Sequence, residues 1–238
     1  WNELTRSLAL LHPHKRSIAV LGGQPAPFRQ IAAGFSAEGY NVQELPVNFM
    51  GDGNEEFKAA WAQLRKDTLF VMGAFVEPFT AAFYPWDFIR KEAPARQIFS
   101  LIHFDSTALL FGRPQVESPF ESLVVDPLWG QANGLALMMR GERCHGEPFI
   151  WGESIFDDAN VSQLLMKMRG TLDPKSQNET QVTRFETGLS GKLKGANGSS
   201  VKLLWPKQPR VFDRAVVFIG GLNGDALVKT LAQKGFDS

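Results

Sequence analysis

The chain has 238 residues, 44% of them hydrophobic, which is enough for one sizeable core or a core with a small second lobe. Lys+Arg and Asp+Glu are both 25, so the formal charge is zero and the basic excess of a nucleic-acid binder is missing. One cysteine, Cys144, excludes an internal disulfide framework, and no apolar run approaches a membrane span. With no basic-then-apolar leader pattern either, the expectation is a soluble cytoplasmic protein with neither nucleic acid nor membrane as partner.

The first two thirds alternate strand and helix signals. Ser17 to Leu21 is a short apolar run closed by Gly22-Gly23, the pattern of a buried strand and a turn. Phe28 to Gly39 has helical spacing in Phe28, Ile31, Ala32 and Phe35 and stops at glycine. Asn41 to Pro46 reads as a second strand, and Asn54 to Lys66 as an amphipathic helix with Phe57, Ala60, Trp61 and Leu64 on one face. Thr68 to Met72 reads as a strand, Tyr84 to Glu92 as a helix, Gln97 to His103 and Ser122 to Val125 as further strands. Leu135 to Arg140 follows closely enough for an antiparallel hairpin, and Val161 to Met168 is helical. Strands this apolar, in repeated βα units, predict an α/β fold with a mainly parallel sheet covered by helices on both faces.

After Gly170 the composition changes. Thr171 to Thr180 is polar, contains Pro174 and reads as a linker. A helix over Thr183 to Leu193, strands at Val201 to Leu204 and Arg214 to Ile219, and a helix over Gly224 to Lys234 form a β/α tail. The expected division is a large domain over 1–170 and a small, incomplete lobe over 171–238.

Several short phrases occur in an order that resembles the cysteine desulfurases, members of the aminotransferase-like superfamily of pyridoxal-phosphate (PLP) enzymes. They are Gly39 to Pro46, Asp67 to Met72, His103-Phe-Asp-Ser-Thr107, Gly130-Gln-Ala-Asn-Gly134 with Leu135 to Arg140, Pro148 to Gly152, and Asn223 to Gly235. The resemblance spans nearly the whole chain and rests on the collinear order of these pieces. It implies a PLP-transferase-like large domain and a dimer, the partner being a second copy or a paralogous or sulfur-transfer protein.

The same resemblance exposes losses. A PLP enzyme of this kind needs a lysine amine for its Schiff base. The matching stretch Val124 to Gly130 puts Asp126 at the family's histidine and Pro127 at its lysine, and no lysine lies between Lys91 and Lys167. The ring-stacking histidine matches Pro25. The Asn-Asn-Glu loop matches Phe75-Val-Glu77, and Ala108 replaces a glutamine. The phosphate cradle and catalytic-cysteine loop fall outside the chain, so neither bears on the reading. Asp105 survives at the position that pairs with the pyridine nitrogen. With His103 and Gln24 it marks a remnant cleft. Asp105 has two readings: a retained half-site, or a strand-end carboxylate capping the following turn.

Other candidates are weaker. Cys144 and His145 are neighbours, and in an extended segment they point to opposite faces. His12 and His14 would share a face if extended, but Pro13 lies between them and no third metal ligand is near. Gly220-Gly-Leu-Asn-Gly224 has no Walker lysine. The aromatic set Phe75, Phe79, Phe83, Tyr84, Trp86 and Phe88 either fills a once-polar cleft or forms an interface. The expected function is that of a non-catalytic desulfurase-like protein that binds or scaffolds, without catalytic residues, metal or cofactor. The alternatives are a divergent PLP-dependent desulfurase or aminotransferase-like enzyme, and a small-molecule sensor using the cleft.

Overall fold

The computed structural model describes residues 2–49, 55–105, 122–126, 137–140, 175–193, 201–204, 216–219 and 223–235. In chain order the elements are α1 (Asn2–Leu11), β1 (Ser17–Leu21), α2 (Ala26–Ala37), β2 (Asn41–Leu45), α3 (Glu55–Ala62), β3 (Thr68–Ala74), α4 (Trp86–Glu92) and a 3₁₀ turn at Pro94–Arg96. β4 (Phe99–Asp105), β5 (Ser122–Asp126) and β6 (Leu137–Arg140) follow, then α5 (Lys175–Leu193), β7 (Val201–Leu204), β8 (Val216–Ile219) and α6 (Gly224–Gln233).

Six strands form one sheet in the order β2-β1-β3-β4-β5-β6. β2 through β5 run parallel, and β6 returns antiparallel against β5. The strand alternation explains the layering. Ile18 and Val20 of β1 join Phe70, Met72 and Leu101 beneath α1 and α2, where Leu4, Leu8, Phe28, Ile31 and Phe35 are buried. Ala19 and Leu21 point the other way, with Val71 and Ile102, into a core closed by Phe57 and Trp61 of α3 and Trp86 and Ile89 of α4. Every residue of β1 and β3 is buried, as strands covered on both faces must be.

Local chemistry sets the element ends. α2 stops where Gly39 adopts φ of +80°, a conformation that costs a side chain energy, and Tyr40 N–H then donates to Phe35 O at 3.0 Å. α3 ends at carbonyls held from outside: the Arg96 guanidinium donates to Trp61 O and, at 2.5 Å, to Leu64 O. Lys15 is buried between β1 and its neighbours and donates to Thr68 O at 3.0 Å and to Gln97 O.

Residues 2–11, for which the sequence carried no assignment, form a helix whose Leu4 and Leu8 stand one turn apart and bury completely or nearly so. One expectation needs correction. The polar stretch read as a linker over Thr171 to Thr180 is helical from Lys175 onward, and Pro174, read as a loop signal, stands immediately before that helix in the sequence. β7 and β8 pair antiparallel in a second, two-stranded sheet that shares no strand with the first. The helix expected over Val161 to Met168 lies outside the described residues, as does the 170/171 division.

Candidate functional site

Strand order makes one place special. The chain leaves β1 toward β2 on one side and, after β2, returns to β3 on the other. In open α/β sheets, the carboxyl edge at such a switch is the usual ligand position. β1 ends at Leu21, and Gly22 N–H donates to Leu45 O at 2.8 Å. A Cβ on Gly22 would stand 3.1 Å from that same oxygen, so the tight turn out of β1 favours glycine. Gly23 follows with φ of +73°.

Gln24 is next, and it is buried. Its Oε1 accepts the Ala74 N–H at 2.7 Å, tying the exit of β1 to the last residue of β3. Its Nε2 is buried without a hydrogen-bond partner and lies against Gly73, where a Cβ would come within 3.1 Å of it. Ala74 pairs in register with His103 of β4, and His103 with Val124 of β5. The His103 ring meets Phe28 of α2 edge to face, with centroids 5.8 Å apart. One register step pair further along, Asp105 stands opposite Asp126. Gln24 and His103 therefore share one row across the edge, and Asp105 lies two residues beyond it. Pro127, Cys144 and His145 lie outside the described residues.

The segment after β3 folds back on itself. Val76 bridges Phe83 in antiparallel fashion, Glu77 N–H donates to Ala82 O at 2.8 Å, and Tyr84 N–H to Phe75 O at 3.1 Å. The buried Glu77 carboxylate gathers three donors inside this hairpin: Phe79 N–H at 3.0 Å, Thr80 N–H at 2.5 Å and the Thr80 hydroxyl at 2.6 Å. The residue matched to a cofactor-loop glutamate is thus consumed by its own turn.

At the end of the hairpin the Tyr84 hydroxyl donates to Gly22 O at 2.8 Å. The Trp86 indole N–H donates to Ala74 O at 3.0 Å. Phe49 stacks edge to face on Tyr84 at 5.0 Å. Burial pushes the Tyr84 phenol well above its ordinary range, and the Glu77 carboxylate adds to that, while the nearby Gln24 amide opposes it. Tyr84 is therefore a neutral hydrogen-bond donor at any physiological pH.

Of the aromatic set, Phe75, Tyr84 and Trp86 are buried, Phe83 and Phe88 pack partly buried against the same core, and Phe79 is 76% exposed. Filling is the dominant use of these rings. The Gln24–Ala74 and Tyr84–Gly22 links had no signal in the sequence, since each joins residues at least 50 apart. His12 and His14 approach edge to face at 6.0 Å, beyond the end of α1, and the His12 ring packs at 5.3 Å on Phe99. Among the described residues no group of three or more His, Cys, Asp or Glu could hold a metal. Asn223, at the end of the glycine-rich stretch, caps α6 by accepting Asp225 N–H at 2.9 Å. Among the described residues no helix is long and apolar enough to cross a membrane.

No protein-family model matches the chain, and neither does any curated protein sequence. Solved structures do match. A NifS-like protein superposes with a TM-score of 0.75 at 14% identity, over 99% of this chain and 66% of its own. DndA from Streptomyces lividans gives 0.68 at 16%, over 98% and 70%. The cysteine desulfurase CsdA from Escherichia coli gives 0.70 at 12%, over 99% and 65%. The chain thus spans about two thirds of the length of the structures it matches, and at such identities the likeness concerns the fold. The parallel sheet flanked by helices is that of PLP-dependent transferases, in the form found in NifS-like cysteine desulfurases.

Proposed function

We propose that this chain is a non-catalytic, desulfurase-like protein that acts by binding or scaffolding. One observation carries the reading. In a sheet of this topology, an amine serving the carboxyl edge is supplied by a stretch that leaves a parallel strand. The stretches leaving β1 to β5 are 22–25, 46–54, 75–85, 106–121 and 127–136, and not one contains a lysine. Lys15, Lys66 and Lys91 precede β1, β3 and β4 and so belong to the opposite edge.

The other groups at the carboxyl edge fit PLP poorly as well. Gln24 commits its Oε1 to Ala74 N–H, Tyr84 its hydroxyl proton to Gly22 O, and Glu77 its carboxylate to Thr80 and Phe79. Asp105 is the feature that favours the rival reading, a divergent PLP enzyme whose lysine comes from beyond residue 166. The division into a large domain over 1–170 and a lobe over 171–238, the cytoplasmic address, and assembly as a homodimer or with a paralogous or sulfur-transfer partner belong to the same proposal.

The test is to add PLP to the purified protein, record the visible spectrum, reduce with borohydride and map adducts by mass spectrometry. The expected result is no aldimine band, no site-specific phosphopyridoxyl-lysine and no sulfur release from cysteine. Pro127→Lys alone leaves that outcome unchanged. A reduced adduct at a single lysine of the unmodified chain would move the enzyme reading to first place.

A further inference from the structure

We infer that the crevice between β1 and β3 is shut by a latch made from the chain's own hairpin, residues 75–84, and that this closure is a fixed part of the fold instead of a gate. The inference deepens the non-catalytic reading and rests on it for its significance, though its geometry is independent.

The crevice is crossed twice. Gln24 Oε1 reaches from the β1 side to Ala74 N–H, and the Tyr84 hydroxyl reaches from the β3 side back to Gly22 O. Both side chains are almost fully buried, at 4% and 3% exposure, so no open slot separates them from the core. Two glycines make the crossing tight. Gly73 lets the Gln24 amide lie on the strand, since a Cβ there would sit 3.1 Å from Nε2 and 2.9 Å from a Leu21 methyl. At Gly23 the constraint is the φ of +73°, since a Cβ there would meet the Tyr84 hydroxyl at an ordinary contact distance of 3.5 Å. A planar ring entering at this point would have to displace Tyr84, Phe49 and Gln24 together.

The hairpin that delivers Tyr84 is itself braced. Its two arms are joined by the Val76–Phe83 bridge, and the Phe75 and Phe83 rings pack at 5.2 Å. At its tip Ala81 is held at φ of +58° while fully buried, a conformation that persists only where surroundings enforce it. Those surroundings are the Glu77 carbonyl, which accepts Ala81 N–H at 3.0 Å, and the Glu77 carboxylate on Thr80. The root is fixed by Phe75 N–H to His103 O at 2.7 Å and by the Trp86 indole on Ala74 O. A gate needs a tip free to swing, and here Ala81 and Ala82 beside the tip are fully buried in the core while the root is bonded to β3 and β4.

Hydrogen exchange read by mass spectrometry on the full chain tests the latch. Tyr84→Phe keeps the ring and removes one neutral hydrogen bond, so peptides covering 74–84 should exchange roughly five- to tenfold faster while those from α2 do not change. Gln24→Met, which removes the acceptor for Ala74 N–H, should speed exchange at Ala74 and Phe75 by a similar factor. PLP added to the wild type should alter no protection at 22–25 or 74–84. Unchanged exchange in both variants would overturn the latch, and so would PLP-induced protection of these segments. A phosphopyridoxyl-lysine with unaltered hairpin exchange would instead overturn the non-catalytic reading and leave the latch standing.

Discussion

Replacing Glu77 by Gln isolates the chemistry that shapes the hairpin, because the substitution conserves volume and removes only charge and one acceptor. In the wild type one carboxylate oxygen accepts Phe79 N–H and the other accepts both donors of Thr80. A glutamine has a single oxygen. Its best placement keeps the two Thr80 bonds and turns the amide NH₂ toward Phe79 N–H, where donor faces donor. Leaving that N–H without a partner costs about 1–3 kcal/mol. The two surviving bonds lose their charge assistance, which roughly halves their strength. Relief from burying a charge offsets part of this, so the net loss is about 2–3 kcal/mol. For a chain of this size that corresponds to a fall in melting temperature of about 4–12 °C. Urea unfolding followed by the fluorescence of Trp61 and Trp86, both buried in the adjoining core, reads the loss directly. A Glu77→Gln protein whose unfolding free energy stays within about 0.5 kcal/mol of wild type, the range of ordinary surface changes, would refute the idea that this carboxylate organises the turn.

Three further outcomes are expected. Gly73→Ala drives a methyl into Leu21 and Gln24, both buried, and should destabilise the chain by about 1–3 kcal/mol in the same urea assay; a neutral result would mean the β1–β3 contact is looser than drawn. Arg96→Met removes the donors that hold Trp61 O and Leu64 O at the end of α3, and should cost about 2 kcal/mol and fray that end in hydrogen exchange, whereas Arg96→Lys retains part of it. Asp67 is held below the usual carboxylate range, first by the Arg65 side chain and then by the Ser17 hydroxyl, against the opposing effect of burial. A depressed folded-state pKa means that its contribution to stability is present above the unfolded value and is lost as pH falls through the folded one. An NMR titration should place the Asp67 midpoint below that of an unstructured Asp, and Ser17→Ala should raise it.

Much of the sheet was legible because buried strands advertise themselves. β1 was bounded correctly at Ser17 and Leu21 by its apolar run and the two glycines, and the antiparallel β5–β6 pair was recognisable because one apolar segment follows the other with no helix-length pattern between them. β3 and β4 were read with their carboxyl ends too short: Gly73 and Ala74 look like a turn, and Phe104 and Asp105 like a loop, until pairing with neighbouring strands extends them. α1 was missed because its apolar side is a narrow stripe, Leu4 and Leu8, that becomes decisive only when a sheet lies beneath it. Lysine-free exits can be counted from the sequence once the strands are known, but the partners of Gln24, Glu77 and Tyr84 depend on close approach across the sheet and within the hairpin. Nothing in residue order marks a glutamine as a cross-strand tie.

The short outer strand β2 has a consequence for how this protein behaves at high concentration. Among the described strands it lies at the margin of the sheet, and a margin offers unpaired amides and carbonyls to any extended segment that drifts past. β2 is only five residues long, and exposed Asn41 and Glu44 sit on it where a longer apolar strand would be adhesive. An incoming strand would have to accommodate the Glu44 charge for a handful of backbone bonds. Crowded solutions should therefore keep these molecules apart along that margin, so that native chains do not stack side by side through β2.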